Sequence, residues 1–163
     1  GRGTPTPVAG LGKLFVVSGK SGAVYAVKPG GKGDITKTHM AWHTDRKGGR
    51  DLPSPILVEN SLFVMNMAGI ATSYDATTGA EKWKTRLGGK HSSSPVSAGN
   101  VIYACAEDGT VYVVRAGGEL ELIATNSVGT KNGEIFRSSM AISNGQLFLR
   151  SDKRLICVGK RAH

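Results

Sequence analysis

The chain has 163 residues, 39% of them apolar, and carries 21 Lys and Arg against 12 Asp and Glu for a net charge of +9. That length fits one domain with a real core, and the ordinary apolar content argues against disorder and against a membrane class. No stretch approaches the roughly 18 apolar residues a spanning helix needs, while the positive balance favours anionic partners: acidic protein, a polyanion or a membrane surface.

The excess is uneven: residues 1–50 hold nine Lys and Arg against two acids, whereas residues 51–100 balance at four against four. The chain opens Gly1-Arg2-Gly3-Thr4-Pro5 without an initiator Met or a signal-like segment, and so reads as a processed or excised product. Its 23 glycines lack a collagen period and fall between short β-branched and aromatic runs, as turns of an all-β protein do.

From the N-terminus, Pro7 is followed eight residues later by Phe15, and the same offset recurs at Pro55 and Phe63, Pro95 and Tyr103, and Met140 and Phe148. The anchors are 48, 40 and 45 residues apart. A fixed internal offset inside a variable period of this size marks a repeat protein with loop insertions. After each aromatic strand comes a polar turn (Ser18–Gly22, Asn66–Gly69, Glu107–Gly109, Ser151–Lys153), then a β-rich run: Val24–Val27, Ala71–Tyr74, Val111–Val114 and Leu155–Val158. Three copies add a fourth strand, containing Trp42, Trp83 and the Leu122–Ile123 pair. Before Trp83, Asp75 is placed to cap a bend and Gly79 to take a positive φ. No useful stretch of helical periodicity appears.

Four short antiparallel strands, repeated, describe blades of a β-propeller, here approximately residues 4–48, 52–89, 91–129 and 136–163 of a single partial domain 1–163. With strands named A to D from the axis outward, small residues open each strand A (Thr6-Pro7, Ser54-Pro55, Ser94-Pro95, Ser138-Ser139), as crowding near an axis requires. The tryptophans read as blade-to-blade packing. The inventory is fifteen strands, because the last blade ends too soon for a strand D. Its open edge is a template for pairing with another chain. The fold expected is an open arc, or half of an eight-bladed ring.

Tyr74-Asp-Ala-Thr-Thr-Gly-Ala-Glu-Lys-Trp83, followed by Gly88-Gly89 and Ser93-Ser94-Pro95-Val96, resembles the PQQ-like repeat. That repeat builds the eight-bladed quinoprotein dehydrogenases and BamB-type outer-membrane assembly scaffolds. The resemblance is strongest in the second blade and covers the whole chain loosely, in the manner of the C-terminal half of a larger bacterial propeller. It implies a location in the bacterial periplasm or cell envelope, and an outer strand for the last blade supplied by the N-terminal end of the parent. The dehydrogenases carry adjacent cysteines over the cofactor and Glu, Asn and Asp ligands for calcium. Cys105 and Cys157 lie 52 residues apart and no ligand set matches, so no cofactor, metal or catalytic residue is assigned. Both cysteines are expected to be buried free thiols.

Other constellations read as structure. His39 and His43 flank Trp42 on an expected strand, about 13 Å apart and too far for one ion. His91 beside Ser92, Ser93 and Ser94 lacks the base-and-orienter geometry of a nucleophile. Pro29–Gly33 lacks the Lys-Ser/Thr and helix of a phosphate loop. Basic loops without interleaved aromatics, and no reading helix, argue against specific nucleic-acid binding. What remains is a candidate partner-binding face where D-to-A loops and B-to-C turns meet: Arg46, Lys47, Arg50, Lys90, His91, Lys131 and Arg137 against Asp45, Asp51 and Glu134. The expected function is a non-catalytic protein-interaction scaffold with an acidic partner. The alternatives are a self-associating unit completed through the last blade, and a fragment of a quinone-dependent oxidoreductase.

Overall fold

The computed structural model describes residues 5–19, 22–45, 53–130 and 133–159. Their fifteen strands form four antiparallel sheets, each ordered as it is threaded. The first contains β1 (Val8–Gly10), β2 (Lys13–Val17), β3 (Val24–Val27) and β4 (Met40–His43). The second contains β5 (Ile56–Val58), β6 (Ser61–Met65), β7 (Ile70–Asp75) and β8 (Glu81–Arg86). The third contains β9 (Val96–Ala98), β10 (Val101–Cys105), β11 (Thr110–Arg115) and β12 (Glu121–Ser127). The fourth has three strands, β13 (Ala141–Ser143), β14 (Gln146–Arg150) and β15 (Leu155–Val158). These are propeller blades, the last without an outer strand among the described residues.

Local chemistry sets the hairpins. Leu11-Gly12 and Asn144-Gly145 take positive φ at both central positions, the two-residue turn whose twist matches that of paired strands. At the β7–β8 turn the Asp75 carboxylate accepts from the Thr77 and Thr78 amides, each at 2.9 Å, and from the Asn60 side chain at 2.7 Å. Gly79 closes that turn with φ +80 and donates its N–H to Asp75 O at 2.8 Å.

The core lies in the seams between blades, where both faces of a sheet must be covered. Phe15, Ala26 and Trp42 of the first blade pack with Leu62, Val64 and Tyr74 of the second. Phe63, Met65 and Trp83 of the second pack with Ile102, Ala104 and Ala116 of the third. Val111 and Val113 of the third pack with Met140 and Leu149 of the fourth. Trp42 also donates its indole N–H to Ala76 O at 3.1 Å. The tryptophans therefore bridge blades.

Register refines the third blade, whose expected fourth strand with Leu122 and Ile123 is β12. The outer pair of strands bulges at the same place in each complete blade: at Ala26/Val27, Ser73/Tyr74 and Val113/Val114. Just before the bulge Ala26 faces Trp42, Ser73 faces Trp83, and Val113 faces Ala124. The tryptophan position of this blade is thus Ala124, and Leu122 and Ile123 are exposed on β12. Val113 and Ala124 are eleven residues apart, whereas Ser73 and Trp83 are ten apart, so the outer strand of the third blade sits one residue later in the chain.

Three smaller expectations also change. A one-turn helix, α1 (Thr36–His39), sits in the connection after β3, so His39 is not on the strand with Trp42 and His43. Cys105 is buried, but Cys157 is exposed, because no outer strand covers β15 among the described residues. Glu134 is buried rather than displayed on a loop.

Candidate interaction face

The D-to-A loops are stitched between the B-to-C turns of the blades they join. Between the second and third blades, His91 N–H donates to Met67 O at 3.1 Å and Lys90 O accepts from Glu107 N–H at 2.7 Å. Between the third and fourth, Phe136 N–H donates to Glu107 O at 2.9 Å and Ile135 O accepts from Asp152 N–H at 3.1 Å. The pattern is identical, so His91 occupies the place of Phe136 and Lys90 that of Ile135.

This equivalence corrects the reading of His91 as part of the exposed face. Its side chain is 0% exposed and sits 5.8 Å, ring to ring, from Tyr112. Nε2 lies 2.9 Å from Gly88 O, and because a carbonyl only accepts, Nε2 carries the proton. Nδ1 is buried without a hydrogen-bond partner. Burial pushes the imidazole pKa below its ordinary value, offset in part by the Gly88 carbonyl. His91 is a neutral plug in the fold.

Outside the plug lies a charged cluster. The Glu107 carboxylate, mostly covered, faces Lys90 Nζ at 3.6 Å and Arg137 Nε at 3.5 Å, and accepts from the Ser92 hydroxyl. Burial raises its pKa, but the Ser92 bond and the two cations outweigh that and hold it below the usual carboxylate range. Lys90 and Arg137 side chains are 59% and 62% exposed, so each reaches solvent while touching Glu107. Arg46, Lys47, Arg50 and Lys131 lie outside the described residues, as does Asp51. Asp45 is described, with its carboxylate 3.5 Å from His43.

At the next loop Glu134 is held by Arg154, with Nε to Oε1 at 2.8 Å and Nη2 to Oε2 at 2.6 Å, and accepts from the Ser151 hydroxyl. Its charge is therefore spent inside the structure, and the carboxylate that faces the exposed cations is Glu107. Glu107 escaped the sequence reading because it lies on a B-to-C turn, whereas the charges were collected from the D-to-A loops.

Nearer the axis, small residues do more than avoid crowding. Thr6 N–H donates to Ser54 Oγ at 2.9 Å, Ser54 N–H to Ser94 Oγ at 2.9 Å, and Ser94 N–H to Ser139 Oγ at 3.0 Å. Pro55 and Pro95 follow these serines, fixing φ where β5 and β9 begin and needing no N–H partner of their own. Among the described residues no group of three His, Cys, Asp or Glu side chains converges at metal-binding distance. Among the same residues no helix is long and apolar enough to cross a membrane.

Comparison with known proteins places this arrangement. The family profile described as outer membrane protein assembly factor BamB matches residues 20–158. The BamB of Burkholderia pseudomallei (strain K96243) is 33% identical over 105 residues, which are 64% of this chain and 26% of that protein. Among solved structures, BamB from Moraxella catarrhalis superposes with a TM-score of 0.68 at 16% identity, covering 91% of this chain and 43% of that one. The computationally designed Ika4 protein gives 0.69 at 12% identity, covering 97% and 91%. A europium-containing methanol dehydrogenase gives 0.57 at 15% identity, covering 77% and 26%. At these identities the structural matches speak to the fold. The chain spans about a quarter of the curated relative it matches. By its repeat, its blades and the profile that covers most of its length, the chain belongs to the family of the outer membrane protein assembly factor BamB.

Proposed function

We propose that the chain is a non-catalytic scaffold segment of the bacterial cell envelope that binds a protein partner with an acidic surface. The observation that carries this reading is the Lys90–Glu107–Arg137 cluster. Two solvent-reaching cations are held over a loop that main-chain bonds fix on both sides, so the charges are presented from a well-anchored base. Fixed charges of one sign steer an oppositely charged partner and set its register. Membership of an assembly-factor family supports a binding role, and the fold by itself implies no chemistry. Arg46, Lys47, Arg50 and Lys131 would extend the basic surface.

The test is binding to poly-glutamate, followed by fluorescence anisotropy at low and high salt. Replacing Lys90 and Arg137 by glutamine should weaken binding by roughly tenfold and flatten its salt dependence. Unchanged binding would remove the reading. A spectral change on adding pyrroloquinoline quinone with calcium would instead revive the oxidoreductase alternative.

A second reading, self-association through the fourth blade, has its own support. Leu155 is 71% exposed on β15, and Cys157, two residues along on the same face, is also exposed. A copy presenting its first blade could cover them. Sedimentation of a pure monomer at high concentration would dispose of this reading.

A further inference from the structure

The first two seams each contain an indole, and the third contains a cavity. In the first blade Trp42 lies 5.9 Å, centroid to centroid, from Phe15, and in the second Trp83 lies 6.0 Å from Phe63. The strand registers make Tyr103 the counterpart of those two phenylalanines and Ala124 the counterpart of the tryptophans. Between the third and fourth blades is a groove of about 350 Å³. Tyr103 and Val113 line it from one side, and Ile142, Leu147, Leu149 and Val158 from the other.

These are the same places in the fold that enclose Trp42. Phe15 and Ala26 correspond to Tyr103 and Val113. Leu57, Leu62, Val64 and Tyr74 correspond to Ile142, Leu147, Leu149 and Val158. In the first seam those residues form one apolar cluster around the indole. In the third, Ala124 packs against the seam where the other blades carry an indole, and Asn126, two residues along the same face of β12, lines the groove.

We propose that this groove is a docking site for the side chain of a tryptophan carried by a partner polypeptide. The occupant is read from the molecule itself, which puts an indole at the two equivalent positions. The volume is ample, since an apolar cavity of about 150 Å³ already takes up benzene. The Asn126 and Gln146 amides at the lining suit the polar backbone of the segment that bears the ring. A polypeptide carrier rests on the scaffold reading, but the groove is separate from the basic face.

The test is titration of the chain with N-acetyltryptophanamide, followed by methyl NMR. Saturable shifts are expected at Val111, Val113, Leu147 and Leu149, and they should be lost in Ala124→Trp, whose own indole fills the groove. Should Ala124→Trp fail to fold, Val113→Phe narrows the same space and should weaken binding at least several-fold. Absence of saturable shifts, or the same shifts in a folded Ala124→Trp, would overturn the proposal. So would binding of free indole without binding of N-acetyltryptophanamide, since a backbone-borne ring would then be excluded. Poly-glutamate binding measured on the same variants should not change, so loss of one site is distinguishable from loss of the other.

Discussion

The indole of Trp42 in the first blade lies against Gly79 in the turn of the second, so close that a β-carbon at Gly79 would stand 2.6 Å from the ring. Gly79 also has φ +80, a left-handed conformation that costs other residues free energy. Gly79→Ala should therefore destabilise the chain by about 2–4 kcal/mol, combining backbone strain with an overpacked seam. Chemical denaturation should show a lower midpoint at unchanged slope.

His91 makes stability depend on pH in a defined sense. Its folded pKa is below the ordinary 6.5, chiefly because burial disfavours the cation. Between that value and the lowered one the unfolded chain binds the extra proton, so stability is full above about pH 6.5 and is lost as pH falls through the window. His91→Phe, which copies Phe136 at the equivalent position, should fold and show a flatter melting temperature between pH 7 and 5. A pH dependence identical to that of the parent would contradict the assignment.

The Glu134–Arg154 pair should matter more than the Lys90–Glu107 pair. Glu134 is out of water and held at two points, whereas Lys90 is mostly exposed. Breaking a buried pair leaves a charge without its compensation, while an exposed pair contributes little. Arg154→Met should lower the melting temperature by several degrees, and Lys90→Met by about one degree or less. Pairing Arg154→Met with Glu134→Leu should recover much of the loss.

The two thiols should differ in reactivity. Burial pushes the Cys105 pKa up to about 12, whereas Cys157 is exposed. A thiolate is the nucleophile. At pH 8 a maleimide should label Cys157 rapidly in the folded chain and reach Cys105 only on denaturation, as peptide mass mapping will show.

The blades were legible because proline, aromatic and glycine recur at fixed offsets, and those offsets belong to single hairpins. The outer strands were less legible, since the connection before them varies in length and only the bulge keeps register. The fourth strand of the third blade was found through Leu122 and Ile123, but which of its residues stands in the tryptophan's place, Ala124, is visible only in the register. His91 was misread for a related reason: a polar side chain in a loop looks exposed until its place is matched to that of Phe136. The Glu134–Arg154 contact joins residues twenty apart on different elements, and charge alone does not indicate such a pairing.

The serine rungs near the axis all point the same way, each amide giving to the hydroxyl of the blade that follows. The row therefore has a polarity, and its two ends are chemically unlike: a threonine hydroxyl at Thr6, and the amide of Ser139. A further blade that continues the row, whatever its source, must join head to tail. Two such units facing each other through identical surfaces cannot extend it. Heterologous contacts of this sort close into rings when the rotation permits and otherwise grow into filaments.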